Sequence, residues 1–284
     1  MTQSLLSLFH DLPIGLGTWH MGESPAAAQA EAGAVLHALE RGVRLIDTAE
    51  MYADGGAERV VGQALKAFGA NRRESLCIVT KVLPMHASRN GTIAACEASL
   101  RRLGLDYVDL FLLHWEGSVP YQHTLEGFAA LRERGLIRHW GVSNFDQPEL
   151  DAWCAAEAKM GLADGCAANQ VYYSLLARGP EFDLLPAMAA RHMPLMAYTP
   201  LGSGELAGDA ELAGIAAPLG LTAAQLALAW AVRGGGVVAI PKSTTPARID
   251  ENLAAASVKL DAVTLARLDA LYPPPKRKRP LAMI

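Results

Sequence analysis

Eight short apolar runs recur along this chain of 284 residues, and most of the gaps between them are patterned as amphipathic helices. The runs are 12–17, 44–46, 76–81, 108–113, 140–142, 167–170, 195–198 and 237–240. They are leucine-rich or β-branched, with little of the alternation expected when one face is wet, so they read as strands buried on both faces. Helical patterns cover 26–40, 57–68, 92–103, 125–134, 148–160, 182–191, 222–232 and 246–255. Pro25 favours the start of the first, and Thr245 is a candidate N-cap ahead of Pro246. Strands that alternate with helices run parallel, because each helix carries the chain back to the same edge. Eight such units close into a barrel more readily than they form an open sheet. The expected fold is α/β, a single (β/α)8 barrel domain over 1–284 with a short tail from about 273.

In such a barrel the reactive residues sit at the C-terminal ends of the strands, on one face. Asp47, Lys81, His114, Ser143, Gln170, Tyr198 and Lys242 all fall there. Three of them belong to the stretches Leu45-Ile46-Asp47-Thr48-Ala49-Glu50-Met51-Tyr52, Val79-Thr80-Lys81 and Leu112-Leu113-His114-Trp115. Taken singly, Asp47 reads as a cap or loop residue, Lys81 as a solvated strand end and His114 as either a buried structural histidine or a site residue. Taken together with Tyr52 they form a proton-handling set. A free phenol has a pKa of about 10 and is a poor acid at neutral pH. A nearby ammonium such as Lys81 lowers that value, and Asp47 can keep the lysine charged. His114 can then orient a carbonyl oxygen for proton transfer.

Composition excludes several other classes. A net charge of −4 gives no electrostatic case for nucleic acid. The basic run Lys276-Arg277-Lys278-Arg279 follows three prolines and reads as a solvated tail. Cys77, Cys96, Cys154 and Cys166 show no metal-ligand spacing, so no metal is expected and reduced thiols are. The first twelve residues lack the basic start of a signal peptide, and the longest clean apolar run, 226–232, is too short to span a bilayer. A cytoplasmic monomer with no membrane partner is the expectation. A dinucleotide fold of the G-x-G-x-x-G type has no support, since that fingerprint is missing.

The order Asp47, Tyr52, Lys81, His114 resembles the catalytic tetrad of the aldo-keto reductases. A second match lies far downstream, in Ile240-Pro241-Lys242-Ser243 and Arg248-Ile249-Asp250-Glu251-Asn252, which is similar to that family's NADP-binding segment. Ser143-Asn144, Gln170 and Tyr198-Thr199-Pro200-Leu201 fit between them in family order. The stretch from Asp47 to Gly62, with Ala53-Asp54-Gly55-Gly56 after the tyrosine, resembles bacterial members that reduce methylglyoxal and similar small aldehydes.

The resemblance implies an NADP(H)-dependent reduction in which a hydride reaches the carbonyl carbon while Tyr52 protonates the oxygen. It places Gly17, Thr18, Trp19 and Asp47 beside the cofactor. Ser143, Asn144 and Gln170 suit the nicotinamide carboxamide, which offers donors and an acceptor, and Tyr198 can stack on its ring. Thr199, Pro200, Leu201, Gly202 and Ser203 would lie along the pyrophosphate. Lys242, Ser243, Thr244 and Arg248 suit a 2′-phosphate. Asn252 would reach the adenine, while Glu251 either joins it or pairs with Arg248. Trp19, Tyr52, His114 and Trp115 would contact a small carbonyl substrate. The segment 201–211 and the tail after Tyr272 are shorter than in longer members, which implies an open, permissive pocket with faster cofactor exchange. A sugar-aldehyde or alcohol oxidoreductase of the same mechanism, and a non-enzymatic NADPH-sensing subunit, remain as alternatives.

Overall fold

The computed structural model of the chain describes residues 13–162 and 165–284. The expectations for the first twelve residues, including Leu12 in the first strand, lie outside the described residues. Strands β1 (Leu16–Gly17), β2 (Leu45–Asp47), β3 (Cys77–Val82), β4 (Val108–Leu113), β5 (Ile137–Ser143), β6 (Asn169–Tyr172), β7 (Leu195–Tyr198) and β8 (Val237–Ala239) form one sheet in sequential order. Every neighbouring pair is parallel. Parallel bridges Ile14 to Ala239 and Gly17 to Lys242 join the last strand to the first. Gly15 N donates to Ala239 O and Ala239 N to Pro13 O, both at 2.8 Å, so the sheet closes as the expected barrel.

Around it lie α1 (Ala28–Glu40), α2 (Gly56–Phe68), α3 (Arg89–Leu103), α4 (Tyr121–Glu133), α5 (Gln147–Lys159), α6 (Leu184–Ala190), α9 (Ala223–Val232) and α10 (Pro246–Ala254). Between α6 and α9 come two short helices, α7 (Glu205–Gly208) and α8 (Ala210–Ala216), and α11 (Ala262–Leu271) follows α10. These three were not anticipated. Local chemistry explains several boundaries. Ser88 caps α3 by accepting from Gly91 N, and Asp261 caps α11 by accepting from Thr264 N. Thr222 and Gln225 form a reciprocal capping box at the start of α9. No single described helix is long and apolar enough to cross a membrane.

The two-residue period of the strands sorts the side chains into two cores. Leu45, Cys77, Val79, Leu110, Leu112, Ala168, Met196, Val238 and Ile240 pack together inside the barrel. Ile46, Ile78, Phe111, Leu113, Val171 and Leu195 face the helices instead. Counting in twos along the inward series leads from Leu45 to Asp47, from Val79 to Lys81 and from Leu112 to His114. The same count leads from Ala168 to Gln170, from Met196 to Tyr198 and from Ile240 to Lys242. The inner face therefore changes from apolar to polar in its last layer. The lumen is tight below that layer: a Cβ on Gly141 of β5 would lie 2.4 Å from Ala168 O.

Candidate active site

Lys81 is fully buried, and its ammonium is held from three sides. It donates to Asp47 Oδ1 at 2.9 Å, to Asp47 Oδ2 at 2.8 Å and to Thr48 O at 2.9 Å. The Tyr52 hydroxyl lies 3.2 Å from the same nitrogen. Burial of an ion pair is costly unless the remaining hydrogen-bonding capacity is used, and here it is. Gln170 Nε2 adds a bond to Asp47 Oδ1 at 2.7 Å. Burial pulls the Lys81 pKa down, but Asp47 and Tyr52 together outweigh it, so the lysine pKa is raised and its charge is kept.

The phenol differs from the sequence expectation in net direction. Burial pushes the Tyr52 pKa up, Lys81 pulls it back, and Asp47 pushes it up again. The pull of Lys81 has the expected sign, but burial is the larger effect and the net shift is upward. Tyr52 is therefore proton-loaded at neutral pH. His114 lies edge-on to it, with ring centroids 5.9 Å apart at 74°. Burial, aided by the Lys81 charge, lowers the His114 pKa to about 2, so this imidazole is neutral. Its Nδ1 is buried without a hydrogen-bond partner among the described residues.

These groups stand at one end of a cleft of about 1160 Å³ that crosses the C-terminal mouth of the barrel. All the residues anticipated for cofactor or substrate line it, Gly202 excepted. Gly202 is buried with φ 58°, in the turn that aims Leu201 and Ser203 at the cleft. Lys81 lies behind the wall rather than on it. The candidate carboxamide residues are already tied to one another. Ser143 Oγ donates to Gln170 O at 2.9 Å, Asn144 Nδ2 donates to His114 O at 3.1 Å, and Tyr198 donates to Asn144 Oδ1 at 2.9 Å. Asn144 adopts φ 61°, which asparagine tolerates, and Thr199 adopts φ 49°, an uncommon conformation for a β-branched residue. The Gln170 N–H bonded to Asp47 is committed to the protein, which leaves the amide oxygen to accept.

At the other end the cations are bare. Lys242 and Arg248 are exposed, and neither side chain has a hydrogen bond or ion pair among the described residues. The alternative of a Glu251–Arg248 pair is overturned, because Glu251 Oε1 accepts from Thr222 Oγ1 at 2.5 Å. Thr222, Ala224 and Ala207 also line this end and were missed, since they come from the unanticipated α7 and from the cap of α9. The segment 201–211 is not an open strip: Gly202–Gly204 forms a 3-10 turn that leads into α7.

The tail corrects a further expectation. Lys278 is not simply solvated; it pairs with Asp146 and, at 2.7 Å, with Asp183. Arg178 holds the chain just before it, through Asp269 at 2.7 Å and the carbonyl of Tyr272. So anchored, the tail brings Met283 and Ile284 to the cleft, where they add an apolar wall near Trp19, Met51 and Trp115. The pocket is less open than the length of the tail implied. Met85, a possible substrate contact by position, is 69% exposed and lies off the cleft.

The aldo/keto reductase family model matches residues 13–273. The chain belongs to the aldo/keto reductase family. Among curated relatives it is 44% identical, over the full length of both chains, to methylglyoxal reductase YeaE of Escherichia coli strain K12. It is 37% identical to an aldo-keto reductase of Mycolicibacterium smegmatis, covering 84% of this chain and 82% of that one. Among solved structures, an aldo/keto reductase of Klebsiella pneumoniae in complex with NADP and acetate superposes with a TM-score of 0.90. That protein is 45% identical, over 96% of this chain and 95% of the other. For an aldo/keto reductase the polarity of the cleft is informative. One end offers a phenol and an imidazole, and the other offers two cations, unpaired among the described residues, beside Ser243 and Thr244. A long anion with a reactive far end would match both.

Proposed function

We propose that this aldo/keto reductase uses NADPH to reduce small aldehydes and α-dicarbonyls of the methylglyoxal type to alcohols, with Tyr52 as the proton donor. The observation that carries the reading is the Tyr52 hydroxyl, 3.2 Å from the buried, Asp47-neutralised Lys81, on the wall of a cleft that His114 also lines. NADPH, when bound, supplies a hydride to the carbonyl carbon. The bare Lys242 and Arg248, with Ser243 and Thr244, fit its 2′-phosphate. Thr199, Pro200, Leu201 and Ser203 fit the pyrophosphate, and Glu251 and Asn252 the adenine. Ser143, Asn144 and the amide oxygen of Gln170 fit the carboxamide, with the Tyr198 ring beside it and Gly17, Thr18 and Asp47 at the floor.

Tyr52 gives its proton to the carbonyl oxygen, and the phenolate left behind faces the Lys81 ammonium, which stabilises it. The phenol is protonated at neutral pH, and the Lys81 charge, which pulls against the upward push of burial, eases the loss of that proton. His114, neutral because of its burial, donates a hydrogen bond to the same oxygen without competing for the proton. Trp19, Trp115, Met51, Met283 and Ile284 surround the outer pocket. Those walls offer little to the hydroxyls of an aldose, which supports the dicarbonyl reading over the sugar-aldehyde one.

The test is NADPH consumption by the purified protein with methylglyoxal, an aliphatic aldehyde, an aldose and a ketosteroid. The highest kcat/KM is expected for methylglyoxal. A steroid that wins, or an aldose that equals the dicarbonyl, overturns the substrate class. No consumption with any of them overturns the reductase reading and leaves a binding role.

A further inference from the structure

Glu50 and His86 take no part in the chemistry above, yet they meet beside it. Glu50 lies two residues before Tyr52, on the turn that leaves β2. Its side chain is 10% exposed and does not line the cleft. Glu50 Oε1 accepts from Leu83 N at 2.7 Å and lies 3.0 Å from His86 Nδ1. Both partners belong to the loop that leaves β3 after Val82, where Pro84–His86 forms one turn of 3-10 helix. That loop is itself anchored, because Ala87 N donates to Pro84 O and Thr124 Oγ1 of α4 donates to Ala87 O at 2.8 Å.

The turn that carries Tyr52 is bonded within itself, by Tyr52 N to Ala49 O at 3.1 Å and Ala57 N to Tyr52 O at 3.3 Å, but only weakly to the neighbouring strand. Its main-chain link to β3 at this point is Glu50 N to Lys81 O, at a long 3.5 Å. Beyond Tyr52 come three consecutive left-handed residues, Ala53 (φ 50°), Asp54 (φ 49°) and Gly55 (φ 74°). Non-glycine residues in this region are conformationally strained and persist only where the surroundings enforce them. A side-chain fastening next to the strained stretch supplies that enforcement.

We propose that Glu50 is a positioning residue, which fastens the Tyr52 turn to the anchored loop behind Lys81 and thereby sets the approach of the Tyr52 hydroxyl to the Lys81 ammonium. The proposal rests on the reading of Tyr52 as the proton donor. If the fastening is lost, the phenol drifts from the ammonium, and the stabilisation of its phenolate weakens. The groups that face Tyr52 are Lys81, Asp47, His114 and Tyr198; of these Lys81 alone favours its ionised form. The cleft end that would hold the 2′-phosphate is built on β8 and α10, to which the clasp makes no hydrogen bond, and should not respond.

The experiment compares Glu50→Ala, Glu50→Gln and His86→Leu with the wild type, each also made in a Tyr52→Phe background. The readouts are kcat and KM on a chemistry-limited aldehyde, NADPH affinity by fluorescence titration, and the pH profile of alcohol oxidation with NADP. Glu50→Ala should lower kcat by about tenfold or more, the equivalent of ~1.4 kcal/mol in the barrier, with NADPH affinity unchanged. In oxidation the Tyr52 phenolate is the base, so the ascending limb of the profile should move to higher pH, since the tyrosine then ionises less readily. Glu50→Gln keeps an acceptor for Leu83 N and should recover most of the rate, and His86→Leu should fall between them. With Tyr52 already replaced, Glu50→Ala should cost nothing more.

A wild-type kcat and pH limb in Glu50→Ala overturn the proposal. So does a loss of NADPH affinity in step with kcat, or a loss that multiplies in the Tyr52→Phe background. Full activity of Tyr52→Phe alone would instead overturn the proton-donor reading, which separates the two failures. Should Glu50→Ala not fold, Glu50→Asp withdraws the carboxylate by one methylene and must show the same shift in the pH limb; a wild-type profile there overturns the proposal as well.

Discussion

The two ends of the cleft are built on opposite principles. At the β2–β4 end the charges are buried and satisfied: the side chains of Lys81 and Asp47 are 0% and 3% exposed, and the lysine makes all of its bonds within the protein. At the β8–α10 end, Lys242 and Arg248 are exposed and unpaired among the described residues. A buried ion pair is assembled by folding and has a fixed geometry before any ligand arrives. A solvated cation keeps its mobility and gives up water only when an anion binds. The first arrangement suits a proton transfer that tolerates little misplacement, and the second suits recognition of a phosphate. Substitutions at the two ends should therefore fail in different ways, one in rate and one in affinity.

The largest effect is expected at the buried end. Tyr52→Phe removes one oxygen and keeps the ring, so kcat should fall by ~100- to 10,000-fold, the usual contribution of general acid catalysis. NADPH affinity, measured by titration, should be unchanged. Residual turnover above about a tenth of wild type on a chemistry-limited substrate would break the comparison at its strongest point.

Arg248→Ala tests the exposed end. Charge-assisted hydrogen bonds are worth ~1.5–3 kcal/mol, so NADPH should bind about 10- to 150-fold more weakly. NADH, which lacks the 2′-phosphate, should bind the variant as it binds wild type. Wild-type NADPH binding should weaken with added salt, because exposed charges are screened. Equal losses for both cofactors would assign Arg248 to the scaffold and remove the contrast.

His114 gives the buried end a pH signature. Its pKa is about 2 in the folded chain and about 6.5 when unfolded. Above the unfolded value neither state is protonated and the stability is complete. As pH falls below it, the unfolded chain takes up a proton that the folded chain refuses, and stability declines by ~1.4 kcal/mol per pH unit. Between about pH 7 and pH 5 the loss from this group should be roughly 2 kcal/mol. Urea midpoints of wild type and His114→Gln at both pH values measure it. The variant should lose less on acidification; identical losses would mean that His114 is not held neutral.

The buried end was far more legible in the sequence than the tail and the loops. Asp47, Lys81, His114, Gln170 and Tyr198 each end an apolar run at an inward position of the strand period, so pattern and fold rule pointed to the same face. What the residues could not reveal was magnitude: Lys81 pulls on Tyr52 as expected, yet burial, which depends on the whole fold, reverses the net direction. Thr222 and Ala224 escaped because they reach the cleft from a helix start rather than a strand end. The helix α11 had a visible cap in Asp261, but lies after the eighth unit, where the strand–helix count had stopped. The Glu50 clasp joins two loops, and loops carry no periodicity from which a partner can be read.

The tail was the least legible part, and it yields the smallest predicted effect. Residues 273–284 have no regular secondary structure, and the run of basic residues among the prolines reads as solvated. Yet Lys278 reaches Asp146, which caps α5 a few residues after Ser143, and Asp183 just before α6. Its side chain is 36% exposed, so the pairs are screened and should contribute no more than ~1 kcal/mol. Loss of that hold in Lys278→Ala should free Met283 and Ile284 from the outer wall without touching Tyr52, Lys81 or the cations. On methylglyoxal kcat/KM should change by less than about fivefold, the equivalent of that energy. On a bulkier aromatic dicarbonyl it should rise, since the apolar wall then yields more easily. The ratio of the two kcat/KM values is the measurement, and high salt on the wild type should move it in the same direction. A ratio that does not move in either case would show that Met283 and Ile284 are seated by their own packing, and that the exposed charges of this face serve the cofactor end alone.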